Sequence, residues 1–367
     1  MKLAILGGHL APALSIIENV PKDWEIIFLG RKYVFEGEKT ISLEYKTIEK
    51  LGIVFEAIST GRFQRKFTKN TIPSLLKLPS GFWGAFKILK SQKPDVILGF
   101  GSYIQLPVVL AASILKIPVV IHEQTLGAGA SNKLCSRFAK KVCISWEESR
   151  RFFPDNKTVL TGMPLRKEVL QVIKEKAISK NKNFKIFVTG GSSGSHFIND
   201  AIKNCLDTLL DKFDIVHQTG GSEKFKDFES LSEIRDRFSQ QKKEKYILRK
   251  FLYPNEFTQV LKGSDLIVSR GGINTVYEIF LLNKPALIIP IPFSQKNEQM
   301  ENAQFLKNQG LAEILQQSDI IPQIFKEKIL DMIDNIDKYR RSSLKDLSLE
   351  NPADKIIKVI WECAEKN

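Results

Sequence analysis

The segment 264–303 places residues that can bind a phosphorylated, polyhydroxylated ligand directly after two apolar runs. The first run ends at Gly271-Gly272, and a predicted helix carrying Thr275 and Glu278 follows. These two residues are three positions apart and therefore share one face of that helix. The carboxylate can accept hydrogen bonds from two ribose hydroxyls, and the helix N-terminus can bind a phosphate. Gln299, which follows the second run, offers a carboxamide for sugar hydroxyls.

Two glycine loops in the first half of the chain have the same relation to apolar runs. Gly7-Gly8-His9 follows the first run, and His9 has the chemistry of a proton acceptor near neutral pH. Residues 99–103, with Gly101 and Ser102, follow another run and can form a backbone cradle for an anion. For the first of these loops, a structural turn whose histidine is already hydrogen-bonded is the alternative interpretation.

Two further strand ends carry polar groups that packing alone explains poorly. One run ends at His122-Glu123, where a charged group is costly unless it is paired. Another leads into residues 190–195, a loop of glycines and serines that includes Ser192 and suits a diphosphate. This loop lacks the lysine of a Walker motif and the spacing of a dinucleotide fingerprint. The sequence also contains no DxD motif, so we predict neither a cofactor nor a metal site.

Short apolar runs alternate with amphipathic segments of helical length along the whole chain, which predicts parallel sheets covered by helices. The predicted strands are Lys2–Leu6, Glu25–Gly30, Val54–Ile58, Val96–Gly99, Val119–His122, Lys141–Ile144, Thr158–Leu160, Lys185–Thr189, Asp214–Gln218, Tyr246–Arg249, Leu266–Ser269 and Ala286–Pro290. One sheet does not hold so many strands comfortably, and 367 residues favour two domains. We place them at residues 1–162 and 163–345. The last segment, 346–367, is a helix expected to pack on the N-terminal domain.

Composition excludes several classes of protein. Hydrophobic residues make up 43% and charged residues 26% of the chain, as in soluble globular proteins, and no run is long enough to cross a bilayer. The N-terminus lacks the cleavage site of a signal peptide. The four cysteines are scattered without CxxC spacing, which predicts reduced thiols in a cytosolic protein.

The net charge of +14 is concentrated in one region, because no acidic residue occurs between Glu56 and Asp95. Basic residues there alternate with large apolar ones, and this mixture predicts a surface that docks on anionic lipid. The apolar residues chosen for this role are Phe67, Leu75, Phe82 and Trp83. A basic helix packed on the core and a nucleic-acid surface are the alternatives, and we favour neither.

Taken together, the loops resemble the MurG family, which belongs to glycosyltransferase family 28 and has the GT-B fold. The matching segments are GGHLAPAL at 7–14, GFGSY at 99–103, IPVVIHEQ at 117–124, TGMPLR at 161–166, GGSSGSHFIN at 190–199, HQTG at 217–220 and the whole of 264–303. They occur in order over nearly the full length. The resemblance implies two Rossmann-like domains whose parallel sheets face each other across a cleft.

The resemblance also implies a donor, an acceptor and a place of action. The donor is UDP-N-acetylglucosamine, and the acceptor is the muramyl-peptide sugar of lipid I, an undecaprenyl-pyrophosphate intermediate of peptidoglycan. The product, lipid II, feeds cell wall synthesis and thereby cell shape and division. The enzyme is expected to be a peripheral protein on the cytoplasmic side of the cell membrane.

The roles that the resemblance implies fall on particular residues. In the donor site, Arg166 and Ser192 meet the diphosphate, Leu252 and the loop Gly272-Ile273-Asn274-Thr275 hold uracil, Glu278 binds ribose, and Gln299 reads the sugar. Thr125 stands where the family has an asparagine that contacts the sugar. Gly7, Gly8, Gly101 and Ser102 face the acceptor diphosphate. The first glycine loop is about three residues shorter than the family's GGTGGH.

The implied chemistry is an inverting transfer without a metal ion, in which a base removes the proton of the attacking sugar hydroxyl. His9 is the first candidate for this base, followed by His122 and Glu123. Other readings remain open: a GT-B transferase with a different polyprenyl-linked acceptor, a UDP-sugar epimerase, and a non-catalytic subunit that binds a sugar nucleotide.

Overall fold

The computed structural model describes residues 1–33, 41–58, 60–61, 78–175, 183–191, 193–222, 224–294, 297–340 and 350–365. The chain divides into two compact units. The N-terminal unit comprises Met1–Lys167 with Glu350–Asn367, and the C-terminal unit comprises Glu168–Leu349. The boundary predicted at residues 162 and 163 lies a few residues before this division.

The N-terminal unit alternates strands and helices. In chain order its elements are β1 (Lys2–Leu6), α1 (Leu10–Asn19), β2 (Glu25–Gly30), α2 (Leu43–Lys50), β3 (Val54–Ala57), α3 (Leu78–Gln92), β4 (Val96–Gly99), α4 (Gln105–Ile114), β5 (Val119–Glu123), α5 (Ala130–Cys135), β6 (Lys141–Ile144) and β7 (Thr158–Leu160). The C-terminal helix of the chain, α15 (Pro352–Glu365), also belongs to this unit.

The described strands of the N-terminal unit form a parallel sheet in the order β3-β2-β1-β4-β5-β6-β7. Alternate residues of β1 enter different apolar clusters: Ala4 and Leu6 join one, and Leu3 and Ile5 join the other. Both faces of the sheet are therefore covered, which explains why its strands are apolar without alternation. Helix α15 contributes Ile356 and Ile360 to the second cluster.

The C-terminal unit follows the same plan. Its elements are α6 (Lys167–Lys174), β8 (Lys185–Thr189), α7 (His196–Lys203), α8 (Leu206–Leu210), β9 (Asp214–Gln218), α9 (Asp227–Asp236), α10 (Gln240–Lys245), β10 (Tyr246–Arg249), α11 (Pro254–Gly263), β11 (Leu266–Ser269), α12 (Ile273–Leu281), β12 (Ala286–Ile288), α13 (Glu298–Asn308), β13 (Ala312–Ile314) and α14 (Pro322–Asp334). The strands are parallel in the order β10-β9-β8-β11-β12-β13.

The predicted α/β class with two parallel-sheet domains is confirmed. One strand, β13, was not predicted, because a run of only three residues, Ala312–Ile314, resembles the end of a helix. It pairs with β12 at the edge of the sheet. All four cysteines are buried, and each lies outside any disulfide.

Each sheet has one point where the strand order reverses, and ligands of open α/β sheets bind beyond the strand ends at such a point. In the N-terminal unit it lies between β1 and β4, and in the C-terminal unit between β8 and β11. The glycine loops that the sequence singles out follow these four strands.

Candidate functional site

In the N-terminal unit, the loops after β1 and β4 are packed directly against each other. Gly8 has φ +148°, and a Cβ atom at this residue would lie 2.8 Å from the Cβ of Ser102 and 2.9 Å from the carbonyl oxygen of Gly101. Gly101 also has a positive φ of 81°. Only glycine permits this conformation together with so close an approach.

The backbone amides that were predicted to cradle the acceptor diphosphate already have acceptors. Gly7 N–H donates to the carbonyl oxygen of Leu29 at 2.8 Å. Gly8 N–H donates to Glu44 Oε1 at 3.0 Å, and Gly101 N–H donates to Gln105 Oε1 at 2.7 Å. Because each amide has one proton to donate, a diphosphate would have to share or displace these bonds, and the role of the three glycines stays a prediction.

Ser102 differs from those glycines. Its hydroxyl oxygen is buried and has no hydrogen-bond partner among the described residues. The carbonyl oxygen of Ser102 accepts the Ser131 hydroxyl at 2.7 Å, which anchors the loop to α5. Of the four residues predicted for the acceptor diphosphate, Ser102 is therefore the one that retains an unused polar group.

His9 precedes α1 in extended conformation, and its side chain makes no capping hydrogen bond. The residue keeps access to solvent. Desolvation by the protein around it lowers its pKa below the usual value, and the charge of Glu123 acts in the opposite direction. The imidazole is therefore neutral at pH 7 and able to accept a proton.

His122 lies near His9 but is fully buried, and its Nε2 atom lies 3.1 Å from the carbonyl oxygen of Gly162. Burial, with a smaller contribution from the neighbouring His9, lowers its pKa to about 4, although the contact with Gly162 acts against the shift. Full burial and the contact with Gly162 favour a structural role for His122, and its role as a second candidate base stays a prediction.

Glu123 is also buried, and both of its oxygens are occupied. Oε1 accepts from the backbone N–H of Thr125 at 3.1 Å and from its hydroxyl at 2.7 Å. Oε2 accepts from Gly129 N–H at 2.8 Å and from Asn132 Nδ2 at 3.0 Å. These contacts fix the loop before α5, so they favour a structural role for Glu123 over that of a base. They also turn the Thr125 hydroxyl toward Glu123.

Arg166 lies in the N-terminal unit and pairs with a carboxylate of α1. Its Nε and Nη2 atoms each lie 2.9 Å from Oε1 of Glu18. The predicted contact with the donor diphosphate would require this ion pair to be shared or released.

In the C-terminal unit, Arg270 connects the two loops at the reversal point. Its guanidinium donates to the Ser195 hydroxyl from Nε at 3.0 Å and from Nη2 at 2.7 Å. It also donates to the carbonyl oxygen of Ile289 at 3.0 Å and to Gln317 Oε1 at 2.8 Å. All these acceptors are neutral, and burial lowers the pKa of Arg270 to about 10. Among the described residues, no carboxylate pairs with this cation, which lies beside Ser195, the N-cap residue of α7.

The N-terminus of α12 is open toward a ligand. Gly272 is its N-cap residue, so no side chain at that position caps the helix. A Cβ atom added there would meet no other atom within 4 Å. The first-turn amides of Ile273, Asn274 and Thr275 have no acceptor among the described residues. Uncapped amides that face open space form an anion site at the positive end of the helix dipole.

Glu278 lies one turn further along α12. Its Oε2 accepts the hydroxyl of Thr258 at 2.8 Å, and Oε1 has no hydrogen bond within the described part of the chain. Desolvation raises the pKa of this carboxyl to about 7, although the Thr258 bond acts against the rise. Glu278 therefore has an oxygen available for a ribose hydroxyl.

Gln299 lies on α13, next to the loop of α12. The backbone of Gln299 lies so close to Gly271 that a Cβ atom added to Gly271 would be 2.3 Å from the Gln299 carbonyl oxygen. Gln299 Oε1 accepts Ile291 N–H at 3.1 Å, so its Nε2 group remains to donate to a sugar. Leu252, in the loop after β10, is buried, and its exposed neighbours Phe251 and Tyr253 form an edge-to-face pair.

Helix α3 carries the part of the predicted membrane surface that the structure describes. Trp83 is 59% exposed, whereas Phe82 packs partly against the core. Lys87 and Lys90 are exposed on the same helix. The other predicted membrane residues, Phe67 and Leu75, and the donor residue Ser192 lie outside the described residues. No helix in the described ranges is both long and apolar enough to cross a membrane.

Sequence reasoning gave no role to Glu44 and none to Arg270. The argument that singled out His122, that a charged group at the end of a buried strand is costly unless paired, also applies to Arg270. This residue directly follows the four buried residues of β11. Glu44 gave no such signal, because an acidic residue after Ser42 is ordinary in the first turn of a helix.

Two parallel-sheet units with these loops define the GT-B class of glycosyltransferases. Comparisons with known proteins place the chain in the same class. The N-terminal domain of glycosyltransferase family 28 matches residues 7–144, and its C-terminal domain matches residues 185–360. A relative from Clostridium botulinum (strain Alaska E43 / Type E3) is 33% identical over 362 residues, which cover 96% of this chain and 94% of the relative. The chain belongs to glycosyltransferase family 28.

That relative is named UDP-N-acetylglucosamine--N-acetylmuramyl-(pentapeptide) pyrophosphoryl-undecaprenol N-acetylglucosamine transferase. Among solved structures, MurG from Acinetobacter baumannii matches with a TM-score of 0.74 and 23% identity, covering 99% of this chain and 100% of that one. A UDP-GlcNAc 2-epimerase from Neisseria meningitidis matches with a TM-score of 0.62 and 18% identity, covering 100% of both chains. At these identities the structures share the fold, which transferases and epimerases therefore have in common.

Proposed function

We propose that this chain transfers N-acetylglucosamine from UDP-N-acetylglucosamine to the muramyl-peptide sugar of lipid I, giving lipid II for peptidoglycan. The observation that carries the donor half is the open N-terminus of α12 together with the unused oxygen of Glu278 one turn later. The acceptor half is supported by the name of a relative that is 33% identical along nearly the whole chain.

The donor occupies the C-terminal unit. The first-turn amides of α12 bind the uracil end and the adjoining phosphate, and Glu278 accepts the ribose hydroxyls. Arg270 adds positive charge beside Ser195, where the loop after β8 meets the diphosphate. Gln299 donates from Nε2 to a sugar hydroxyl. Leu252 supplies an apolar wall for uracil.

The reaction is a single displacement at the anomeric carbon. The acceptor hydroxyl attacks this carbon, its proton passes to a ring nitrogen of His9, and the bond from the anomeric carbon to the phosphate oxygen breaks. The electron pair of that bond leaves with UDP, and the N-terminus of α12 stabilises the negative charge that UDP gains. Attack opposite the leaving group inverts the configuration. No metal ion takes part, since backbone amides and Arg270 supply the positive potential.

The membrane is where the enzyme meets a lipid-linked acceptor. Trp83, Lys87 and Lys90 on α3 supply an aromatic group and positive charge for the anionic cytoplasmic surface. The protein thus acts as a peripheral enzyme on the cytoplasmic side. Ser102, with its unused hydroxyl, is the contact for the acceptor diphosphate.

The test is an acceptor and donor panel. Purified protein is incubated with UDP-N-acetylglucosamine and either lipid I, another polyprenyl-linked sugar or no acceptor, and UDP release and the sugar product are measured. We expect UDP release that depends on lipid I. Transfer only to the other lipid would replace the acceptor, and conversion of the donor to its epimer without acceptor would identify an epimerase.

A further inference from the structure

A carboxylate lies over the ends of two central strands of the N-terminal unit. It belongs to Glu44, in the first turn of α2. A Cβ atom on Gly7 would lie 2.4 Å from Glu44 Oε1, and a Cβ atom on Gly30 would lie 2.8 Å from Oε2. The carboxylate therefore fills a space that exists only because β1 is followed by a glycine and β2 ends in one.

Within this space, the carboxylate bonds to backbone amides of both loops. Oε1 accepts Gly8 N–H at 3.0 Å, and Oε2 accepts Arg31 N–H at 3.3 Å. Desolvation raises the pKa of Glu44, while these two bonds and the charge of Arg31 favour the ionised form. The carboxylate therefore links the loop after β1, through Gly8, to the end of β2, through Arg31.

The base of α2 is itself anchored, so the carboxylate is held from both ends. Ser42 is the N-cap and accepts Tyr45 N–H at 3.1 Å. The Ser42 hydroxyl donates to the carbonyl oxygen of Arg31 at 2.6 Å. Helix α2 is thus tied to the end of β2, and Glu44 reaches from it to Gly8.

Gly8 is followed directly by His9, whose side chain makes no capping hydrogen bond. The direction of the imidazole therefore depends on the backbone of Gly8, which lies in a region of φ that leaves glycine much freedom. We propose that Glu44 is a positioning residue that fixes the Gly8-His9 backbone through its carboxylate and so sets the direction of the His9 ring. This inference rests on the proposed role of His9 as the base.

Glu44→Ala removes both bonds. Glu44→Gln keeps one acceptor oxygen but places an NH₂ group opposite one of the two amide donors. We expect kcat to fall between about tenfold and a hundredfold in Glu44→Ala and less in Glu44→Gln, because a misplaced catalytic group costs rate more than binding. The KM for the donor should change less than about twofold, since the donor site lies on other residues. Glu49→Gln, an exposed acid on the same helix, is the matched control.

The second readout needs no activity. The chain has four histidines, so the ring proton resonances of His9 can be assigned by comparison with His9→Ala, and His196 and His217, which lie in the C-terminal unit, serve as references. We expect the His9 resonance to shift or broaden in both Glu44 variants while these two references keep theirs. An unchanged far-ultraviolet circular dichroism spectrum shows that the variants are folded.

The outcomes separate this inference from the proposed function. If the His9 resonance and kcat are both unchanged in Glu44→Ala, Glu44 does not position His9. If the resonance moves but kcat does not, the ring is positioned by Glu44 but its direction does not matter for the reaction, which also overturns the proposal. If the wild-type protein transfers no sugar, the proposed function fails whatever the resonance does.

Discussion

The ionisation of Glu278 should make donor binding depend on pH. Burial raises the pKa of this carboxyl to about 7, so protonation occurs as the pH falls through neutrality. The protonated group offers a weaker acceptor to the ribose hydroxyls and adds an O–H that competes for hydrogen bonds. We therefore expect tighter binding of the donor above pH 7 and weaker binding below it.

The size of the effect follows from the ionised fraction. For a pKa of about 7, this fraction is about 0.9 at pH 8 and about 0.1 at pH 6. If the ionised form carries ribose binding, the Kd for the donor is about tenfold higher at pH 6, or about 1.4 kcal/mol. UDP-N-acetylglucosamine suits this titration better than UDP, because its diphosphate is a diester without an ionisation near neutral pH.

The assay is isothermal titration calorimetry at pH 6, 7 and 8 on three proteins. The wild type should show the tenfold change in Kd between pH 8 and pH 6. Glu278→Gln should bind the donor weakly, with the same Kd at all three pH values. Glu301→Gln, an exposed acid in the first turn of α13, should behave as the wild type. The reasoning is refuted if Glu278→Gln keeps the pH dependence of the wild type, since another group would then cause it.

Further predictions concern the buried arginine, the base and the membrane helix. Arg270→Met should lower the free energy of unfolding of the C-terminal unit by about 3 kcal/mol, because Ser195 and two further acceptors lose a charged donor. Urea unfolding should be followed by circular dichroism and not by tryptophan fluorescence, because all four tryptophans lie outside that unit. A decrease in the free energy of unfolding below about 1 kcal/mol would contradict this prediction. His9→Ala should lower kcat by about a hundredfold with donor Kd unchanged, and full turnover would exclude it as the base. Trp83→Ser should reduce co-sedimentation with anionic vesicles, whereas Trp361→Ser, 49% exposed on α15, should not, and equal binding of both would rule out docking through α3.

The sequence predicts the strands and loops well, because buried parallel strands are continuous apolar runs and the loops contain glycines. The limits of β1, β4 and β8 agree with the structure. The strand β13 was missed because three residues carry too little pattern. Which strands lie together at the reversal points follows from the order of pairing, which depends on long-range contacts.

Individual roles in the site were harder to predict, because a residue type does not reveal whether its atoms are already bonded. Gly8 and Gly101 have the conformations expected of a ligand cradle, but their amides bond to Glu44 and Gln105. His122 looked like a base but is buried against Gly162. By contrast, Glu278 keeps an available oxygen, because Thr258 on the neighbouring helix takes only one of the two.

The most direct test of the central claim is the product formed from labelled donor and lipid I. The protein is incubated with UDP-N-[¹⁴C]acetylglucosamine and lipid I, and the extracted lipid is analysed by mass spectrometry and by the anomeric configuration of the new linkage. We predict a disaccharide-linked lipid with inverted configuration at the transferred sugar, and loss of this product in His9→Ala. Label that remains in the aqueous phase as donor, free sugar or epimer would contradict the account.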